Sequence, residues 1–112
     1  VGYALDSGAG SLVFTGDTCS NDALWCAVND IVNLRYLIIE TAFSDAEREL
    51  AIRAKHLCPS LLMEQLAMLK QHPEIFITHL KPGEGDKIMR EISAGASPWR
   101  PKMLLHHQVF EF

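Results

Sequence analysis

Leu37-Ile38-Ile39-Glu40 is a run of three large apolar side chains closed by a carboxylate. An apolar run without alternation predicts a strand covered on both faces, here over residues 35–40. Two other stretches repeat the pattern. Ser11-Leu12-Val13-Phe14-Thr15 leads through Gly16 to Asp17, and Ile75-Phe76-Ile77-Thr78 leads to His79. In layered α/β proteins, ligands sit outside the carboxyl ends of the strands. If these three strands are neighbours, Asp17, Glu40 and His79 converge on one rim. Carboxylates and neutral imidazoles are ligands for zinc and manganese. Polar residues also end strands simply because water begins there, so spacing alone leaves both readings open.

Outward from these strands, residues 1–6 read as a strand joined to 11–15 by a turn at Ser7-Gly8-Ala9-Gly10. Ser20 stands where a helix cap is needed, and Ala23, Leu24, Ala27, Val28 and Ile31 recur at helical spacing to about Asn33. Ser44-Asp45-Ala46-Glu47 has capping-box spacing, so a helix is expected to about Ala54. Its charges, Asp45, Glu47, Arg48, Glu49 and Arg53, read as a solvated face. Pro59 opens the next helix, with Leu62, Leu66 and Leu69 on one side and an end near Gln71. Residues 86–93 form a short helix. Residues 102–105 and 108–112 read as a final hairpin around His106-His107, although that turn lacks Asn-Gly or Asp-Gly chemistry. The order β-β-α-β-α-α-β-α-β-β makes an α/β layered domain. Trp25 and Trp99 read as packing residues, and His72 as a surface residue at a helix end.

The 112 residues allow one small domain, taken as 1–112. With 48% hydrophobic and 21% charged residues the chain is globular in composition. A net charge of −4 argues against a protein that holds nucleic acid by electrostatics. Cys19, Cys26 and Cys58 are odd in number, which fits reduced thiols in a cytoplasmic protein. No apolar run approaches ~18 residues, so no membrane partner is expected. The first residues have neither a basic segment nor an apolar one, and so do not read as a signal peptide. They read like the interior of a strand, as though the chain begins partway through something larger.

Phe14-Thr15-Gly16-Asp17-Thr18, Leu37-Ile38-Ile39-Glu40-Thr41-Ala42-Phe43, His56-Leu57-Cys58-Pro59 and Ile77-Thr78-His79-Leu80-Lys81-Pro82-Gly83 occur in that order, and Gln108-Val109-Phe110-Glu111-Phe112 closes the chain. Together they resemble the C-terminal half of the metallo-β-lactamase-fold phosphodiesterases. The nearest branch resembles the class II 3′,5′-cyclic-nucleotide phosphodiesterases, with ribonuclease Z more distant. The resemblance implies half of an α/β/β/α sandwich, with one mixed sheet and helices on one face. It implies that Asp17 bridges two metal ions and that His79 is a terminal ligand on one of them. Glu40 would support the site by hydrogen bonding. His56 would face the scissile phosphate and serve proton transfer, and the substrate would be a phosphoester.

The same resemblance shows what is missing. The metal motif His-x-His-x-Asp-His belongs to the N-terminal half and is absent here. Of the usual ligands only Asp17 and His79 remain, too few for a catalytic zinc, which normally has three protein ligands. Zinc or manganese is the expected ion, but the shortage leaves open that this chain binds none. The chain is therefore expected to be inactive alone, as a fragment or remnant of a dinuclear-metal hydrolase. The alternative is a free-standing, non-catalytic binding module. Lys55 stands where the family has glycine before the histidine. Cys58 replaces a capping threonine, and loss of such a cap costs about 1 kcal/mol. A half-sandwich also leaves one sheet face without its partner, which predicts either a homodimer or a complementary N-terminal half.

Overall fold

The computed structural model describes residues 2–16, 22–95 and 99–112, with Asp22 described in its backbone alone. Five strands form one sheet in the order β1-β2-β3-β4-β5. They are β1 (Tyr3–Asp6), β2 (Ser11–Phe14), β3 (Leu34–Glu40), β4 (Glu74–Thr78) and β5 (Lys102–Met103). β1 and β2 are antiparallel, and every later pairing is parallel. Four helices, α1 (Asp22–Asn29), α2 (Arg48–Ala54), α3 (Pro59–Leu66) and α4 (Gly85–Ala94), make the connections, and a 3-10 turn at Asp45–Glu47 leads into α2.

Strand alternation assigns the two faces. Val13, Leu37, Ile39, Ile75 and Ile77 face Trp25 and Val28 of α1, Leu62 and Leu66 of α3, and Ile88 and Ile92 of α4 in one core. Helices α1, α3 and α4 all pack on this side, as expected for half of a sandwich. Burying such side chains contributes roughly 1.5–3 kcal/mol each. Trp25 is buried too, and its Nε1–H donates to Gln65 Oε1 at 2.7 Å.

The opposite face differs from expectation. It is not bare: Leu12, Ile38 and Phe76 are buried there beneath Phe110 and Phe112. Phe110 lies 4.9 Å from the Tyr36 ring and 5.0 Å edge-on from Phe76. The Tyr36 hydroxyl donates to the Glu111 carbonyl. Residues 108–112 form no strand, so the final hairpin is not made. Chain reversal at His106-His107, with His107 at φ 62°, sends the tail across the sheet rather than alongside it. Apolar cover over Phe76 replaces a ladder.

Two helices end earlier than periodicity predicts, for one shared reason. α1 stops at Asn29 rather than Asn33, and α3 at Leu66 rather than Gln71. Asn29 donates to the Met68 carbonyl and accepts from Lys70 N–H, while the Gln71 amide donates to the Val28 and Asn29 carbonyls. Side chains after α3 thus cap the last carbonyls of α1. The capping box at Ser44 is not formed either, because Ser44 makes no side-chain cap bond. Asp45 instead accepts from Ser60 N–H at 2.8 Å in the first turn of α3. That bond supplies what Cys58 lacks as a cap, and Glu91 of α4 in turn accepts the Asp45 N–H at 3.0 Å. With Arg48 donating to Ser60 Oγ at 2.6 Å, this helix face is a polar joint rather than a merely solvated surface. Ser20, the expected cap of α1, lies outside the described residues. Among the described residues no helix is long and apolar enough to cross a membrane.

Lys55 ends α2 in the left-handed region, at φ 61° and ψ 42°. Its N–H bonds Ile52 and the His56 N–H bonds Ala51, the paired bonds of a Schellman ending. A side chain there costs about 1–2 kcal/mol, part of which glycine gives back as unfolded-chain entropy. Lys55→Gly is therefore expected to raise unfolding free energy by roughly 0.5–1 kcal/mol in urea titration.

Candidate functional site

β2, β3 and β4 are adjacent and parallel, so their carboxyl ends share one edge. Thr15 N–H donates to Ile38, and Thr41 N–H to Thr78, which extends both ladders past the strand ends. Gly16 then turns with φ 69°, a conformation that favours glycine. Asp17, the expected bridging ligand, and Cys19 lie outside the described residues. Glu40 and His79 are at the shared edge, as the sequence predicts.

His56 reaches the same edge from the helical layer. The Schellman ending of α2 reverses the chain at Lys55, and Phe43 N–H then donates to the Leu57 carbonyl at 3.3 Å. This brings the His56 Nδ1 to 2.7 Å from Glu40 Oε1. Glu40 is only 1% exposed, whereas the His56 side chain is 23% exposed. An ionised carboxylate only accepts, so with Glu40 ionised a neutral His56 carries its hydrogen on Nδ1 and its lone pair on Nε2. The resemblance implies only that Glu40 supports the site by hydrogen bonding; that its bond goes to His56 is read from the structure.

His79 takes φ 61°, unusual for a residue with a side chain. Such conformations cost on the order of 1–3 kcal/mol and cluster at ligand-handling positions. The imidazoles of His79 and His56 lie nearly parallel, 6.0 Å apart. Both line an open cleft of about 390 Å³, whose other walls include Phe43, Leu80 and Pro82. The loop beyond His79 is tied down at both levels. Lys81 N–H donates to Ala42, and Lys81 Nζ lies 3.1 Å from each carboxylate oxygen of Glu47. The ammonium also sits 5.9 Å from the Phe43 ring centre. Hydrogen bonding to Glu47 holds the Lys81 ammonium above its usual lysine range, aided by the nearby Glu47 and Glu84 charges.

The donor set decides what ion this arrangement can hold. Among the described residues, no three His, Cys, Asp or Glu side chains gather closely enough to bind a metal. The described residues alone therefore do not fit a catalytic zinc site, which takes three protein ligands. Glu47 and Phe43 escaped the sequence reading. Glu47 looked like part of a charged helix face, and nothing local linked it to a lysine 34 positions away.

No protein-family profile matches the sequence, and no curated protein matches it significantly. Solved structures do. The chain is similar to the metallo-beta-lactamase fold protein YhfI from Bacillus subtilis, with a TM-score of 0.70 and 17% identity over 90% of this chain and 39% of that one. It is also similar to human tRNase Z, short form (ELAC1), at a TM-score of 0.59 and 17% identity, covering 72% and 30% of the two chains. A mutant of the CmlA beta-hydroxylase gives 0.50 and 13%, covering 93% and 26%. The chain spans well under half the length of each. Its fold is that of one half of a metallo-β-lactamase sandwich.

Two outcomes follow from this geometry. Nitrogen-15 NMR at neutral pH is expected to show His56 with its hydrogen on Nδ1, and Glu40→Ala to remove that preference. The Lys81–Glu47 tether has the sign of a raised lysine pKa: its contribution is complete below the unfolded value of 10.5 and is lost as pH climbs through the higher folded value. Glu47→Gln should therefore lower thermal stability at pH 7 but make little difference at strongly alkaline pH.

Proposed function

We propose that this chain forms the C-terminal half of a dinuclear-metal phosphodiesterase site. The observation that carries this reading is the convergence of the Glu40–His56 pair and His79 around one cleft at the carboxyl edge of β2, β3 and β4. His79 and Asp17 are the ligands the chain would contribute, to zinc or manganese. Glu40 orients His56, and His56 carries a proton at the cleft. The phosphoester class is supported by the resemblance of the sequence motifs and by the fold shared with a tRNase Z.

The remaining ligands come from a complementary N-terminal half, because two donors do not complete a zinc site. By itself the chain hydrolyses no phosphodiester. A second reading, a homodimeric binding module without catalysis, draws on exposed apolar side chains: Tyr3 and Leu5 on β1, and Leu105 and Val109 beside the tail.

Calorimetric titration with zinc and manganese separates the two readings. The half-site reading expects weak stoichiometric binding, lost in both Asp17→Ala and His79→Ala, with no turnover of bis(4-nitrophenyl) phosphate by the chain alone. Absence of binding, or binding indifferent to both substitutions, overturns it. A stable dimer in sedimentation, together with absent metal binding, supports the module.

A further inference from the structure

The Glu40–His56 pair has a capacity that requires no ion. We propose that this chain alone transfers acyl groups to water, with His56 Nε2 as nucleophile toward small, neutral aryl esters of carboxylic acids and Glu40 as its proton acceptor. The inference goes beyond the phosphodiesterase reading and does not rest on it.

Three observations point the same way. The 2.7 Å contact engages Nδ1 with Glu40; with that carboxyl ionised, a neutral imidazole donates from Nδ1 and keeps its lone pair on Nε2, and the His56 ring lines the cleft. An imidazole held by a buried carboxylate is the arrangement by which a weak nucleophile is activated. The cleft, about 390 Å³, offers the Phe43 ring, Leu80 and Pro82 to an aromatic group. Charge then selects among substrates. Lys81, the cleft's lysine, is engaged by Glu47 at 3.1 Å and lies 3.6 Å from Glu84. With its charge answered by two carboxylates, a neutral ester enters more readily than a phosphate anion.

The step balances without a further reagent. Nε2 adds to the ester carbonyl carbon, forming an N–C bond. The tetrahedral adduct collapses, the acyl C–O bond breaks, and aryloxide leaves with the electron pair while the Nδ1 proton passes to Glu40. Water then adds its oxygen to the acyl carbon and the N–C bond breaks. Glu40 returns its proton to Nδ1, and one proton is released to solvent against the aryloxide. The good leaving group removes the need for a strong oxyanion donor.

The test is hydrolysis of 4-nitrophenyl acetate by the full chain in excess EDTA. The expected result is a saturable rate above that of free imidazole at equal concentration, with an acetyl adduct on the His56 peptide in rapid-quench mass spectrometry. His56→Ala abolishes both signals. Glu40→Gln keeps an acceptor oxygen but not the basic carboxylate, and lowers the rate roughly tenfold or more. His106→Ala, at the remote turn, leaves the rate unchanged. Retention of the rate in His56→Ala, loss of it in EDTA, or a rate no better than imidazole overturns the proposal. If circular dichroism shows that Glu40→Gln has unfolded, His56→Ala decides, since that side chain is partly exposed. Because chelator is present throughout, failure here leaves the metal titration unaffected.

Discussion

Parallel pairing is directional, and the site depends on that fact. With β3 held between β2 and β4 in parallel register, three strand ends must lie at one edge. The connections then have to cross the helical face and return to the opposite edge, which is why α1, α3 and α4 share one side of the sheet. The loops left at the carboxyl edge are free to carry polar residues. The backbone bonds from Thr15 to Ile38 and from Thr41 to Thr78 hold them in order.

Onto that edge the fold sets a carboxylate that is almost fully buried. Taking an ionised carboxyl out of water is costly unless hydrogen bonds answer it. His56 is one such partner for Glu40, and it reaches the position because α2 ends in a left-handed turn. Two residues in the left-handed region thus shape the cleft: His79 lines it, and Lys55 directly precedes His56, its other histidine. Strain at this edge is supported by rigid elements on both sides: the buried strands beneath, and the Asp45 joint that links the start of α2 to α3 and α4.

The second sheet face has a different solution. In a complete sandwich another sheet covers such a face. Here Phe110 and Phe112 cover its centre, using aromatic packing on Tyr36 and Phe76. The tail contributes no ladder, so its hold is side-chain packing plus the bond from Tyr36 to Glu111. Local alternation in residues 108–112 reads as a strand, but the tail leaves the outer edge of β5 unpaired and packs Phe110 and Phe112 on the apolar sheet face instead.

Local chemistry was enough to read the strands that end at Phe14, Glu40 and Thr78, because an unbroken apolar run signals burial on both faces. The turn at Ser7–Gly10 and the proline opening α3 were equally legible. Glu40, His56 and His79 could be named from their motifs, whereas the hydrogen bond that pairs the first two came only with the fold. What no local pattern contained was the set of partners distant in the chain. The early ends of α1 and α3, the cap that Asp45 gives Ser60, the tether from Glu47 to Lys81 and the course of the tail all depend on such partners. Residues far apart in sequence meet only after the sheet has fixed their places. Periodicity reports which side of an element is buried, whereas hydrogen-bond partners are chosen by geometry that exists only in the folded chain.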